Sequence, residues 1–388
     1  MKKNRKFLYR FLLIILLAIT ALNIYTYGQV KRPHLVNTNG RTFEKASVIK
    51  ILRDNIQENG SRIGDQIVLL KLNNGNIIKA NCPNGMLFGT ICHPNMEVVV
   101  ISSYIGNTAI HTVYSMDRSK PLFLFIGVFL LLLCLIGGRK GIKSSIALIF
   151  TFTCFIFLFF PMLMHGVRPI MAAVLTSFII LISTIYLING PTIKSLVAVA
   201  ASFCGISTAC IAALLFGWSA SLSGYNVSNI ESLLFIEQNT PINVGELLFA
   251  GILFASLGAV MDIAMDISSA VFELSRHNKG MTPYTLFTSG MNVGRDVMGT
   301  MSSTLILAFF GSSLGMWVLD YVYALPYLQL INSNAIGIEL MQGLSGSFGV
   351  ILTVPITAVF SAWFPVYIKQ WQTKNFFNIK IFSILRHK

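Results

Sequence analysis

The sequence predicts a polytopic α-helical membrane protein of about eight transmembrane helices, with a small extracytoplasmic β-barrel-like domain, OB-like or SH3-like, between helices 1 and 2. Three observations predict it. Of 388 residues, 54% are apolar and only 11% are charged, against roughly 25% charged in soluble domains. Apolar runs of roughly 20 residues recur along the chain. One sizeable polar segment, residues 28–118, interrupts them with a strand-like alternation. The net charge of +14 does not point to nucleic acid, because the basic residues flank apolar runs and form no stripe interleaved with aromatics.

Residues 1–27 combine a basic start, MKKNRKFLYR, with the apolar span Phe7–Tyr27. The span is long and no clean Ala-x-Ala follows it, so the expectation is an uncleaved signal anchor rather than a cleaved signal peptide.

Within residues 28–118, Phe43–Leu52, Asp65–Leu72, Asn76–Ala80, Met96–Ile105 and Thr108–Tyr114 have strand character. Asn74-Gly75 between two apolar runs is a hairpin signal, and Gly106-Asn107 repeats it. Short strands this closely spaced predict a small barrel. His34, His93 and His111 are scattered and read as solvated or turn histidines. Cys82 and Cys92 share the domain. They can pair if it is exported to an oxidising space, or stay as free thiols, and their spacing with His93 matches no strong zinc pattern. Cys134, Cys154, Cys204 and Cys210 lie in apolar spans and act there as small hydrophobes.

Residues 119–368 are expected to be a seven-helix membrane domain. Its spans are Pro121–Ile136, Ser145–Leu163, Pro169–Ile188, Ser195–Trp218, Leu247–Asp266, Gly299–Leu319 and Leu344–Ile368. GGRKGIK is a basic turn between the first two of these. Residues 219–243 read as a loop in which Ser228 and Glu231 have capping-box spacing, predicting a short helix lying in the interface. Thr282-Pro283 reads as a helix start, and residues 320–343 read as a loop without basic residues. Residues 369–388 are a basic tail. With the N-terminus cytoplasmic, the short inner segments carry the basic start, Arg139, Lys140, Lys143, Lys194, Arg276, Lys279, Arg295 and the basic tail, whereas the short outer loops carry only Arg168. The positive-inside rule therefore places both termini in the cytoplasm and residues 28–118 outside.

The candidate functional residues lie in the hairpin of the sixth and seventh spans. Ionisable groups at membrane depth cost roughly 2.5–3.5 kcal/mol each on insertion scales and are read first as functional. At 1.5 Å per residue, Asp262 lies about 24 Å from the outer end of a core roughly 30 Å thick. Asp266 shares its helix face one turn on, extended by Ser269 and Glu273. Asn292, Arg295 and Asp296 stand just before the seventh span, at similar depth if the helices are neighbours. Gly258, Gly290, Gly294 and Gly299 accompany them as packing glycines, since small-xxx-small spacing lets helices approach. Two readings stay open. Asp262, Asp266, Asn292, Arg295 and Asp296 form a pathway for an ion or proton, or acid and arginine form an ion pair that locks the hairpin. Glu273, Arg276 and Lys279 read as a solvated turn, and Met261 and Met265 as packing rather than a metal site. Glu246 and Asp320 sit at outer span ends. Two acids on one helix do not make the two-segment dyad of an aspartyl protease. No Walker A, HExxH or GxSxG occurs, so neither enzymatic activity, metal nor cofactor is expected.

The stretches LLFAGILFASLGAVMDIAMDISSAVFEL, FTSGMNVGRDVMGTMSSTLILAFFGSSL and LIGGRKGIKS, with weaker support from LINSN and VPITA, resemble the YibE/F family of bacterial membrane proteins over most of residues 120–365. The resemblance implies a bacterial plasma-membrane protein and supplies no substrate. Members look like a pair, one with an extracytoplasmic domain and one without. This chain is similar to the longer type, which implies a hetero-oligomer with a shorter relative. The expected function is an ion- or proton-linked transporter or permease subunit. The alternative is a non-transporting assembly or envelope-sensing protein acting through residues 28–118.

Overall fold

The computed structural model describes residues 24–373, except 26, 31, 32, 34–39, 58, 59, 61, 84–89, 106, 107, 228 and 279. The basic N-terminus, most of the span Phe7–Tyr27, His34, the Gly106-Asn107 turn, Ser228, Lys279 and the tail from Lys374 lie outside the described residues. The chain divides into two compact units, His34–Leu135 and Ile136–Lys388 together with the residues up to Pro33.

The first unit holds five strands, β1 (Arg41–Arg53), β2 (Gln66–Leu72), β3 (Ile77–Cys82), β4 (Glu97–Ile105) and β5 (Thr108–Met116), closed into a barrel in the order β1-β2-β3-β5-β4. Every pairing is antiparallel except β3 with β5. That parallel closure distinguishes the OB arrangement from an SH3-like meander. Strand β1 pairs on both sides because register shifts at Val48/Lys50 and Ile51/Arg53 coil it around the barrel. Alternation drives the closure: Val68, Leu70 and Leu72 of β2 point into a core shared with Val48, Ala80, Val98, Val100 and Val113. At the predicted hairpin Gly75 takes φ 88°, Asn74 Oδ1 accepts from Asn76 N (2.9 Å), and β2 pairs with β3.

Helix α1 (Ser119–Cys154) is interrupted at Gly138 (φ 52°, ψ −130°), a conformation glycine adopts at little cost. Where two spans are expected, Pro121–Ile136 and Ser145–Leu163, the structure has one apolar helical run, Ser119–Met164, broken at Gly138. A π turn, Phe155–Phe159, leads into α2 (Phe160–Met164) just before Pro161, whose missing N–H leaves a gap in the helical ladder. Then come α3 (Pro169–Asn189), α4 (Ile193–Ser219), α5 (Ile230–Asn239), α6 (Leu247–His277), α7 (Pro283–Ser312), α8 (Leu314–Val322), α9 (Tyr327–Ile331) and α10 (Asn334–Thr373). Among the described residues five helical runs are long and apolar enough to cross a membrane: Ser119–Met164, Pro169–Asn189, Ile193–Ser219, Val244–His277 and Asn334–Phe364. The bent pair α7 and α8 passes the same test only when its two helices are taken together.

The core of this unit lies where α10 packs along α4, α6 and α7. Glycines set the approach. A Cβ on Gly349 would stand 2.8 Å from Ala209 Cβ and 2.9 Å from the Gly205 carbonyl oxygen, so α4 and α10 cross in backbone contact.

Several boundaries depart from expectation. Helix α6 runs on past Asp266 to His277, because SSAVFELSRH keeps helical propensity after the apolar run ends. The seventh span is not one straight segment. Helix α7 starts at Pro283, capped by Thr282 Oγ1 accepting from Thr285 N (3.2 Å), and the chain bends by 64° between α7 and α8, where Gly311-Ser312-Ser313 is a weak helix former. The stretch read as the loop 320–343 contains α9 and the first turns of α10. The short helix after residue 219 is present as α5, but its N-cap is Asn229 without a side-chain cap. The capping box belongs instead to Ser223 and Asn226, around the 3₁₀ turn Gly224–Asn226.

Candidate functional site

Helix α6 has two faces. Leu253, Ser256, Val260, Ile263, Ile267 and Val271 are buried. Gly251, Ala255, Gly258, Asp262, Asp266 and Glu273 follow one another at helical spacing on the other face and are all exposed. Helix α7 is arranged alike. Leu286, Gly290 and Gly294 are buried, and Asn292, Arg295, Asp296, Gly299 and Ser303 are exposed.

The two helices pack against each other, as the antiparallel hairpin requires. The five candidate side chains nevertheless lie on its outer surface rather than between its helices. Among the described residues no ion pair joins any two of Asp262, Asp266, Asn292, Arg295 and Asp296. The four glycines divide in the same way. A Cβ on Gly290 would meet Val271 Cγ2 at 2.9 Å and Ala358 Cβ at 3.2 Å. One on Gly294 would collide with Val354 Cγ1 and stand 2.9 Å from Ile267 Cδ1. Gly258 and Gly299 have nothing within 4 Å. Small residues are therefore spent twice, once to seat α7 on α6 and α10, and once on a surface where an added Cβ meets nothing within 4 Å among the described residues.

Met261 and Met265 pack against the core, and Asn189 Nδ2 lies 3.8 Å from Met265 Sδ, so the thioethers turn away from the acids. Glu273 pairs with His277 (3.0 Å), both exposed. At the other end of α6, Arg168 Nε donates to Glu246 Oε1 (2.7 Å), tying the start of α3 to the start of α6. The sequence gives no sign of this pairing, because the two residues stand far apart in the chain and each reads as a separate surface charge.

One charged residue escapes the sequence reading. Glu339, in the second turn of α10, contacts the Ser313 hydroxyl at the bend between α7 and α8, and its Oε2 is buried without a hydrogen-bond partner among the described residues. The break in hydropathy between Leu319 and Leu344 hid it. The signal that would have found it is the helix start Ser333-Asn334, since Ser333 Oγ accepts from Ile336 N (3.2 Å).

In the barrel, Cys82 and Cys92 lie with their sulfurs 3.3 Å apart and both are buried. Gln66, fully buried, accepts from Cys92 N (2.8 Å) and donates to Asp54 Oδ1 (2.9 Å). Contact with Cys92, then burial, pushes the Cys82 thiol up. Among the described residues no group of three or more His, Cys, Asp or Glu is placed to hold a metal.

Neither a curated protein nor a solved structure matches the chain. The family model described as YibE/F-like protein matches residues 125–366, which is more than half of the chain and includes both charged faces, and the chain belongs to that family of membrane proteins.

Proposed function

We propose that this chain is one subunit of an ion- or proton-linked permease of the bacterial plasma membrane. Its polar pathway runs along the outer faces of α6 and α7 and is closed by a second, shorter YibE/F-type subunit. Both termini lie in the cytoplasm and the barrel lies outside, as the distribution of Lys and Arg supports.

One observation carries the reading: Asp262, Asp266, Arg295 and Asp296 are exposed on the chain by itself. Left bare to lipid, four such charges would cost on the order of 10 kcal/mol at roughly 2.5–3.5 each. That is as large as the whole stability of a typical domain. A partner that brings its own polar face removes the cost and leaves a lined passage between subunits. The small residues above the acids, Gly251, Ala255 and Gly258, let that partner come close.

Flux into proteoliposomes, measured with and without the shorter relative, tests it. Asp262→Asn and Asp296→Asn are expected to abolish flux while membrane abundance stays near wild type. Loss of both variants from the membrane, or unchanged flux, would overturn the reading.

A second reading is a non-transporting assembly or sensing protein. It is favoured by a groove of about 720 Å³ on the barrel, where Arg53, Lys79 and His111 stand beside Asp65 and Asn81. On that reading, deletion of residues 28–118 removes function and the charged faces tolerate neutral substitution.

A further inference from the structure

Glu339 belongs to neither of these places. It stands at the bend of 64° between α7 and α8, beside a cavity of about 570 Å³ lined by Ser312, Ser313, Trp317, Asn334 and Gln342 among others. No Lys or Arg is among the lining residues. One carboxylate oxygen touches the Ser313 hydroxyl and the other is buried without a partner among the described residues. The Ser312 hydroxyl turns back to the Phe309 carbonyl (2.6 Å), which also accepts the Ser313 N–H (3.3 Å), so Ser313 rather than Ser312 is the hydroxyl beside the carboxylate.

A carboxylate oxygen taken out of water with nothing in its place is unstable as an anion. Two kinds of occupant relieve it, a proton on the carboxyl or a cation beside it. The polar side chains around the cavity are one carboxylate, two hydroxyls, three amides and the Trp317 indole, and Met316 brings the one sulfur among apolar neighbours. Oxygen donors of this kind select hard cations over transition metals, and a single negative charge matches a single positive one. Helix α7 has its C-terminus at this bend. Interrupted spanning helices use the carbonyls at such ends to coordinate small cations.

We propose that Glu339 and Ser313, at the break between α7 and α8, form a binding site for a hard monovalent cation of the sodium class. Cation binding there needs neither the acids of α6 nor a second subunit. It is read as binding, not flux, so its failure is distinguishable from failure of the permease reading.

The test uses the full chain in detergent micelles. Melting is followed by tryptophan fluorescence at constant ionic strength, with sodium chloride exchanged for choline chloride. At a sodium concentration about a hundredfold above Kd, Tm is expected to rise by roughly 3 °C. Glu339→Gln abolishes the rise, Ser313→Ala reduces it, and Asp262→Asn leaves it intact. A wild-type melt indifferent to sodium, or a Glu339→Gln variant that keeps the full rise, overturns the proposal. Should Glu339→Gln fail to fold, the wild-type chain decides the matter through carbodiimide labelling of carboxyl groups mapped by mass spectrometry. Labelling of Glu339 that sodium slows and choline does not supports the site, and labelling equal in both salts overturns it.

Discussion

The same substitution at two glycines of α7, five residues apart, is expected to have opposite effects. At Gly294 an added methyl collides with Val354 Cγ1 and stands 2.9 Å from Ile267 Cδ1; at Gly299 it meets nothing within 4 Å. Val354 is β-branched and cannot swing aside. Overpacking of this kind costs about 2–3 kcal/mol. Both sites gain helix propensity from Gly→Ala, worth roughly 0.5–1 kcal/mol each, and that gain cancels in the comparison. Gly294→Ala is therefore expected to be less stable than Gly299→Ala by about 2–3 kcal/mol, roughly 30- to 150-fold in the unfolding equilibrium. Equilibrium unfolding in mixed micelles, titrated with sodium dodecyl sulfate and followed by tryptophan fluorescence, measures it. Equal stability of the two variants would refute the seating of α7 on α6 and α10. Because Gly299 lies on the face assigned to a partner, Gly299→Ala is also expected to weaken subunit association while the monomer becomes more stable than wild type by roughly 0.5–1 kcal/mol.

Two further outcomes concern the barrel. Lys45 stands 2.8 Å from Asp117, and the Ser119 N–H donates to the same carboxylate at 2.9 Å, which together hold the Asp117 carboxyl well below the usual carboxylate range. A depressed pKa gives stability that is full above the ordinary carboxylate value and fades as pH falls below it. Barrel protection in hydrogen exchange, corrected for intrinsic rate, should therefore drop between about pH 5 and pH 2, and drop less in Asp117→Asn. With their sulfurs 3.3 Å apart, Cys82 and Cys92 are expected to join within one chain on mild copper–phenanthroline oxidation, read as the loss of two alkylatable thiols by mass spectrometry. Retention of both thiols would contradict their placement.

What the sequence discloses and what it conceals divides by range. The strands of the barrel are legible because alternation is local, and Asn74-Gly75 marks its hairpin with a conformation few residues reach. The parallel closure of β3 on β5 and the meeting of Cys82 with Cys92 depend on residues that no local pattern connects. In α6 the spacing puts Gly258, Asp262 and Asp266 on one face, but periodicity names a face without saying what it meets. The costs of charge in lipid point inward, and the chain instead turns Leu253, Val260 and Ile267 to the core. Glu339 was concealed differently. It lies in a segment whose polar residues, Asn332 to Asn334, read as loop although they start a helix.

The position of α10 bears on how the molecule is made. It is synthesised after α4, α6 and α7, yet it is the surface on which all three settle, with backbone contact at Gly205 and Gly349. Until it leaves the ribosome, its earlier neighbours present unmatched grooves to lipid and to one another. Nascent chains stopped before residue 334 should then be substrates for membrane quality control, so that translation of α10 acts as a checkpoint for the helices before it.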